Sequence, residues 1–284
     1  MSAPAAPVAS PSNKPDIGII GGTGFYEFLT DPRTVEVDTP FGRPSAPIAI
    51  GNANGRRVAF LPRHGAHHQF PPHLVNYRAN LWALRTLGVR QVLGPCAVGS
   101  LRPELGPGTF VVPDQVVDRT WGRQHTVYDL EGPVVHVGFA DPYCPRGRQA
   151  FLSSASQHTG DLVDGGTLVV INGPRFSTRA ESQWHAAAGW SVVGMTGLPE
   201  ASIARELALC YSTVCLVTDH DAGVEGGEAV SHAEVLRQFG ANIDRLKSLL
   251  LDVIIGLPEP ETDEDAVCSC RHALDGIELP IQLP

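Results

Sequence analysis

The chain has 284 residues, of which 43% are hydrophobic and 18% are charged, which predicts a folded protein with a sizeable core rather than a disordered one. The formal net charge of −9 gives no general attraction for nucleic acid or for an anionic membrane. Apolar runs are too short for a membrane span, and the Pro/Ala/Ser-rich residues 1–15 read as a flexible tail, not a signal peptide. A cytoplasmic enzyme is therefore expected, with its six cysteines as free thiols.

Strand and helix patterns alternate along the chain. The segment 'DIGIIGGTGF' predicts a buried strand and a glycine turn, and 'APIAIGNANGRRVAFLPRHG' predicts two strands joined by a hairpin turn. The segment 'VNYRANLWALRTLGV' has helical spacing and ends at Gly88. Later strands are predicted in 'RQVLGPCAVGSL', 'GTFVVPDQVVDRT', 'GTLVVINGPRF', 'WSVVGMT' and 'CYSTVCLVT'. Later helices are predicted in 'STRAESQWHAAAG', 'PEASIARELAL' and 'SHAEVLRQFGANIDRLKSLLLDVIIG'.

This alternation predicts one α/β domain over residues 16–257, followed by an acidic linker and a cysteine-containing tail over residues 258–284. Short polar motifs stand where the predicted strands end: 'GGTG', 'RHG', 'CAVGS', 'NGPRF', 'MTGLPE' and 'TDHDAG'. Ligand sites in α/β sheets gather at the carboxyl ends of strands, so these motifs predict one active-site crevice.

The turn 'GGTGF' has three interpretations. A dinucleotide-binding fingerprint would need a third glycine, but the spacing from Gly22 places Glu27 there. The turn could instead hold a small anion on Thr23 and nearby amides, or be a tight turn without a ligand. An oxidoreductase with a nicotinamide cofactor is thus disfavoured.

Two other strand ends carry groups suited to an oxyanion. Arg63 offers a planar guanidinium fork, and His64 beside it offers a further donor. Thr196 stands just before a predicted helix, where hydroxyl and backbone donors favour an anion. The His-rich segment 'HGAHHQFPPH' contains His64 and is not expected to bind zinc.

Asp219 and Asp221 follow an apolar run, and residues two apart on a strand point the same way. Such a pair could bind a metal, act as acid and base, cap a helix or contact a substrate. The sequence offers few further ligands nearby, which disfavours a metal. His220 between them is expected on the opposite face.

Many of these segments together resemble a known family. They are 'IGIIGGTGF', 'RHG', 'VNYRANLWAL', 'VVPDQVVDRT', 'ADPYCP', 'GPRFSTRAES', 'MTGLPEA' and 'VTDHD', in order between about Ile17 and Leu257. This set resembles the trimeric purine nucleoside phosphorylases, in particular their methylthioadenosine phosphorylase branch. The resemblance implies a central mixed sheet, partly closed into a barrel and flanked by helices, in a homotrimer. The 'HVGFADPYCP' loop would then reach a neighbouring subunit.

The resemblance also implies a function and a site. The reaction would be phosphorolysis of 5′-methylthioadenosine to adenine and 5-methylthioribose 1-phosphate, with phosphate as co-substrate and neither a cofactor nor a metal. The phosphate site would comprise Thr23, Arg63, His64, Cys96 and Ala97 (through backbone amide) and Thr196. Phe176 and Met195 would contact the nucleoside, with Ser177 and His232 affecting specificity. Asp219 would be the acid at purine N7 and Asp221 a 6-amino acceptor or support.

Three features depart from the family pattern: two single positions and the C-terminal tail. Gly197 stands where many relatives have a hydroxyl residue, with little expected effect on phosphate. His232 stands where thioether-specific members have a small apolar residue, so a broader phosphorylase acting on adenosine or inosine is the alternative. In the tail, Cys268 and Cys270 could form a strained disulfide or, with His272, part of a metal site. Reduced thiols are expected, because the ligand count from one chain is too low for a metal site.

Overall fold

The structure is a computed structural model that describes residues 14–22, 29–154, 162–224, 231–258 and 268–284. Within these ranges the strands are β1 (Ile17–Gly21), β2 (Thr30–Val35), β3 (Ile48–Ala53), β4 (Arg56–Pro62), β5 (Gln91–Leu93), β6 (Cys96–Ser100), β7 (Phe110–Val112), β8 (Gln115–Arg119), β9 (Leu162–Asp164), β10 (Thr167–Ile171), β11 (Val192–Gly194), β12 (Cys210–Ser212) and β13 (Cys215–His220). The α-helices are α1 (Tyr77–Thr86), α2 (Pro145–Ser154), α3 (Arg179–Ala187), α4 (Gly197–Glu206) and α5 (His232–Gly256). Thr23, most of the predicted N-terminal tail and the acidic linker lie outside the described residues.

The strands form two mixed sheets flanked by helices, which confirms the predicted mixed α/β fold with a partly barrel-like sheet. The first sheet has the order β12-β5-β1-β4-β3-β2, in which β12, β5, β1 and β4 are parallel. The second has the order β8-β10-β11-β6-β13-β7-β9, with β6 and β13 parallel at its centre. The first four residues of β13 are buried, whereas Ala97 and Gly99 of β6 and the last two residues of β13 are only half-buried.

The segment 'CYSTVCLVT' was predicted as one strand, but it forms β12 in the first sheet and β13 in the second. The chain crosses between the sheets in the same way from β5 to β6, and the two crossings are hydrogen-bonded to each other. The Gly94 amide donates to the Ser212 carbonyl at 2.9 Å, and the Cys96 amide donates to the Val214 carbonyl at 3.1 Å. The two sheets are therefore joined at a seam made by two neighbouring segments.

Strands β2 and β9 and helix α2 have no counterpart among the predicted elements. Strand β2 has the sequence 'TDPRTV', is mostly exposed at the edge of its sheet, and its pairing with β3 shifts register between Thr30 and Arg33. A polar, proline-containing edge strand lacks the apolar alternation on which strand prediction depends. Helix α2 contains Pro145 and Gly147, which hide its helical character in the sequence.

The long helix α5 packs on β13 and on α2. It begins where the Ser231 hydroxyl accepts a hydrogen bond from the Glu234 amide at 3.2 Å, which caps the first turn. Its apolar stripe is fully buried at Leu246, Leu249 and Val253, a spacing of three to four residues that places all three on one face. Among the described helices, none is both long and apolar enough to cross a membrane.

The last described segment, residues 268–284, packs on the body of the same chain. Ile281 and Leu283 are partly buried against the main hydrophobic core. Cys268 and Cys270 are almost completely buried and lie against Cys144 and Cys210. The cysteines of the tail are therefore part of the fold, and the expected shortage of neighbouring ligands does not hold.

Candidate active site

A cavity of about 590 Å³ lies at the seam between the two sheets. The carboxyl ends of β1 and β4 reach it from the first sheet, and β6, β11 and β13 reach it from the second. The predicted site residues within the described ranges all line it: Arg63, His64, Cys96, Ala97, Phe176, Ser177, Met195, Thr196, Asp219, Asp221 and His232. Gly22, the neighbour of the undescribed Thr23, lines it as well. Two further cavities of similar volume lie apart from these residues.

Asp219 stands near the end of β13, beside a register shift between Val217 and Asp219 in the pairing with β6. Burial, with a smaller contribution from the neighbouring Asp221, raises the pKa of this carboxyl to about 6, against the lowering effect of a hydrogen bond from Thr218. The Thr218 hydroxyl donates to Asp219 Oδ2 at 2.8 Å. Gly99 on β6 faces the pair, and a Cβ there would lie 3.0 Å from Asp219 Oδ1. Asp219 can thus carry a proton near neutral pH.

Asp221 is held more rigidly than Asp219. Its side chain is 4% exposed, and its Oδ2 accepts a hydrogen bond from the Ser182 hydroxyl of α3. Its backbone amide donates to the Ser100 carbonyl at the end of β6 at 2.9 Å. Asp221 therefore enters the cavity with one oxygen already engaged, which suits an acceptor or a support better than a mobile acid.

Arg63 was expected to offer its guanidinium fork to an oxyanion, but most of that group is hydrogen-bonded within the protein. Its Nε and Nη2 donate to the Glu200 carboxylate at 2.7 and 2.8 Å, and both side chains are buried. Nη2 also donates to the Ile20 carbonyl, and Nη1 to the Pro95 carbonyl. Burial opposes the charge of Arg63, but Glu200 raises the guanidinium pKa above its usual value. These bonds use four of the five guanidinium N–H groups, so a phosphate would find one donor rather than a free fork.

His64 also differs from the expectation that it offers a donor. Its Nδ1 lies 2.8 Å from the Phe70 carbonyl, and since a carbonyl only accepts, Nδ1 carries the proton. Burial and then the charge of Arg63 lower the pKa of His64 to about 4, so the ring is neutral at pH 7. Its Nε2 is then an acceptor. A phosphate would have to supply the proton for that hydrogen bond, or raise the pKa of His64 by its own charge.

Of the two backbone amides predicted to donate to phosphate, one is already hydrogen-bonded within the protein. The Cys96 amide is already bonded to the Val214 carbonyl at the seam, so the predicted contact through this pair falls on Ala97. Thr196 stands directly before α4, is 8% exposed, and makes no side-chain cap hydrogen bond, so its hydroxyl is available to the cavity. Leu198 departs from helical geometry, so the regular part of α4 begins after it, where the helix 'PEASIARELAL' was predicted to begin.

The other end of the cavity is largely apolar. Phe176 and Met195 line it together with three residues from the start of α5, Val235, Leu236 and Phe239. His232 is the first residue of α5, and is exposed at the rim. Ser177 lines the same cavity, and its hydroxyl is buried with no hydrogen-bond partner in the described ranges. A buried hydroxyl without a partner is costly, so Ser177 is a natural contact for a ligand.

Two residues that organise the cavity were missed in the sequence. Glu200 is fully buried and accepts hydrogen bonds from Arg63 and from the Tyr211 hydroxyl, the latter at 2.7 Å. The sequence showed it only as an acidic residue in the first turn of a helix. Arg123 donates from one side chain to the carbonyls of Met195 and Leu198, and so ties the loop after β11 in place. Neither role has a local sequence signal, because every partner is distant along the chain.

Comparisons of this chain with known families, sequences and structures all find phosphorylases. A model of the phosphorylase superfamily matches residues 16–255. The purine nucleoside phosphorylase of Streptomyces coelicolor is 60% identical over 278 residues, which cover 95% of this chain and 98% of that protein. The S-methyl-5′-thioadenosine phosphorylase of Mycobacterium tuberculosis is 58% identical over 269 residues, covering 94% and 97%. A crystal structure of methylthioadenosine phosphorylase sourced from an antarctic soil metagenomic library has a TM-score of 0.85 at 38% identity, covering 93% and 92%.

Proposed function

The chain belongs to the phosphorylase superfamily, and from that premise we propose that it catalyses phosphorolysis of 5′-methylthioadenosine to adenine and 5-methylthioribose 1-phosphate. The observation that carries this proposal is an aspartate with a raised pKa, Asp219, in the same cavity as Arg63 and Thr196. The apolar wall formed by Val235 and Phe239 suits a thioether. Inorganic phosphate is the co-substrate, and no cofactor enters the reaction.

In the proposed reaction, phosphate lies between Thr196, the Ala97 amide, His64 and the remaining N–H of Arg63. A phosphate oxygen forms a bond to the anomeric carbon of the sugar while the C–N bond to the purine breaks. Positive charge builds on the sugar in the transition state, and the phosphate anion beside it stabilises that charge. Binding phosphate in a fixed position thus supplies both the nucleophile and an electrostatic partner.

The leaving purine takes the electron pair of the broken C–N bond and needs a proton. Protonated Asp219 donates this proton to N7, and Asp221 accepts a hydrogen bond from the 6-amino group. An acid with a pKa near the working pH is effective in this role, because it is both populated and able to release its proton. The pKa of about 6 at Asp219 supports this assignment.

The first test is base release from 5′-methylthioadenosine, adenosine and inosine, each with and without phosphate. We expect adenine to be released from 5′-methylthioadenosine only when phosphate is present, and faster than from the other two nucleosides. Release without phosphate would identify a hydrolase instead. A preference for inosine would contradict the assigned contacts of Asp219 and Asp221.

The pH dependence of kcat/KM gives a separate prediction. The protonated form of Asp219 is the active one, so kcat/KM for 5′-methylthioadenosine should fall as the pH rises above about 6. Phosphate itself titrates in this region, so the profile of Asp219→Asn is the reference. The fall in kcat/KM that is due to Asp219 is expected in the wild type and not in the variant. Superimposable profiles would remove Asp219 from proton transfer.

A broader purine nucleoside phosphorylase is the second candidate function. Two observations favour it: His232 lines the cavity, and the Streptomyces coelicolor relative is named for that activity. A buried 5′-hydroxyl needs a hydrogen-bond partner, which His232 can provide, whereas a thioether does not. Adenosine would then be accepted beside 5′-methylthioadenosine.

Replacing His232 by Val tests this second function. The ratio of kcat/KM for 5′-methylthioadenosine over adenosine is expected to rise about tenfold, since the variant loses the hydroxyl partner but keeps an apolar contact. His67→Val is the matched control, because His67 is exposed and does not line the cavity. An unchanged ratio in His232→Val would show that residue 232 does not contact the 5′ group of the nucleoside.

We further propose a homotrimer. The connection between β8 and α2 carries three exposed large apolar side chains, Trp121, Leu130 and Val134, whose burial in a subunit contact would remove apolar surface from water. Light scattering should give three times the chain mass of 30.3 kDa. Val134→Asp is expected to reduce the trimer fraction, whereas Ile255→Asp, at another exposed apolar position, on α5, is not. A monomeric wild-type protein would contradict the proposal.

A further inference from the structure

Four cysteines meet on the side of the fold where the tail packs on the body. They come from three separate parts of the chain, and we refer to them as the thiol cluster: Cys144, Cys210, Cys268 and Cys270. The four sulfur atoms all lie within 4.8 Å of one another. All four residues are buried. The cluster lines none of the cavity that holds Asp219, so phosphorolysis makes no use of it.

The spacing of the sulfur atoms matches a tetrahedral metal site. Four thiolates at about 2.3 Å from one zinc ion stand about 3.8 Å from each other. The Sγ atom of Cys268 lies 3.7 Å from that of Cys144 and 3.3 Å from that of Cys210. Small side-chain rotations would therefore bring the sulfur atoms to equal distances around one ion.

Disulfide bonds fit the same arrangement less well. A disulfide needs its sulfur atoms about 2.05 Å apart, which is more than 1 Å closer than the sulfur atoms of Cys210 and Cys268 lie. Cys268 and Cys270 are separated by one residue, so a bond between them would close a strained ring. All four sulfurs also converge on one point instead of forming two separated pairs.

Positive charge lies beside the cluster. Cys144 stands at the N-terminus of α2, where its carbonyl accepts a hydrogen bond from the Arg148 amide at 3.0 Å. The positive end of a helix is favourable for a negatively charged metal centre beside it. Arg205 Nη2 lies 3.9 Å from Cys270 Sγ and donates to it. A zinc ion with four thiolates has a net charge of −2, which a nearby guanidinium partly offsets.

We propose that the thiol cluster binds one structural zinc ion. Binding replaces four S–H bonds by four Zn–S bonds and releases four protons, so it needs neither an oxidant nor a reductant. The four ligands leave no open position on the metal, which makes the site structural and not catalytic. The ion joins the tail to the first residue of β12 and to the start of α2, and so fastens residues 268–284 to the body of the fold.

The test is the metal content of the full chain, purified with a thiol reductant and without chelators from cells supplied with zinc. Elemental mass spectrometry should find about one zinc per chain. Exchange for Co²⁺ should give the intense visible absorption of tetrahedral cobalt and a sulfur-to-cobalt charge-transfer band. Neither measurement depends on turnover, so the result is independent of the proposed phosphorolysis.

Variants with matched controls complete the test. Cys268→Ser with Cys270→Ser should lose the zinc and expose the tail to limited proteolysis, while circular dichroism reports on the remaining fold. Ser269→Ala, between the two cysteines, should keep the zinc. Cys215→Ser removes a buried thiol outside the cluster, near Cys96, and should also keep it.

Several results would overturn the proposal. These are less than about one zinc in ten chains in reduced wild-type protein, or zinc retained in the double serine variant. An intact mass four hydrogens lower without reductant, with the cluster peptides joined in pairs, would show two disulfides. Iron in place of zinc at one per chain would overturn the choice of metal.

Discussion

Replacing Asp219 by Asn is expected to lower kcat for adenine release from 5′-methylthioadenosine by about 10²–10⁴-fold. The amide has nearly the shape of the carboxyl group but cannot give a proton to N7, so the leaving purine departs as an unstable anion. Binding should change less, because the apolar wall and the phosphate contacts are untouched. Steady-state kinetics at pH 6, close to the raised pKa of the wild-type carboxyl, measure the difference.

The same substitution should change the base preference. An Asn amide can donate to the oxygen of a 6-oxopurine, so activity on inosine relative to 5′-methylthioadenosine is expected to rise. Asp244→Asn is the matched control, because Asp244 is exposed on α5 and the same change there should leave kinetics unaltered. Wild-type turnover of 5′-methylthioadenosine by Asp219→Asn would disprove the acid role.

Replacing Glu200 by Gln is expected to lower the free energy of unfolding by about 3–5 kcal/mol. Arg63 is 3% exposed and Glu200 is 0% exposed, so the substitution leaves a buried guanidinium without its counter-ion. Tyr211, which donates to the same carboxylate, also loses a charged partner. Urea unfolding followed by far-UV circular dichroism measures the change.

A surface ion pair provides the comparison. Arg102 and Glu104 lie 3.6 Å apart, but their side chains are 45% and 63% exposed. Water screens that pair, so Glu104→Gln should change the unfolding free energy by less than about 1 kcal/mol. If Glu200→Gln were no more destabilising than Glu104→Gln, the buried ion pair between Arg63 and Glu200 would not stabilise the fold as its geometry indicates.

Much of the site could be predicted because its residues stand at the ends of strands, where a change from apolar to polar residues marks them in the sequence. Arg63, Thr196 and Asp219 each follow a short apolar run, and all three line one cavity. Local patterns also marked the hairpin between β3 and β4 and the long helix α5. What they did not show was the state of each group in the fold. Glu200 occupies the fork of Arg63, and the Phe70 carbonyl fixes the proton of His64.

The remaining differences come from contacts between distant parts of the chain. The segment 'CYSTVCLVT' looks like one strand, because the local pattern does not record that its two halves pair with different sheets. Cys144 and Cys268 are 124 positions apart, and Cys144 follows an irregular loop, so nothing near the C-x-C motif indicated further ligands. Periodicity reports which face of an element is buried, but not which partner covers it.

The pair between Arg63 and Glu200 joins positions 137 residues apart, and this separation affects the order in which the protein is made. As the chain leaves the ribosome, β1, β3, β4 and β5 emerge well before Glu200 does. Burying a lone guanidinium costs several kcal/mol, so Arg63 is expected to stay hydrated until its carboxylate arrives. Strand β12 completes the edge of the first sheet later still. The phosphate end of the cavity therefore closes late in translation, and a nascent chain stalled before residue 200 should not bind phosphate.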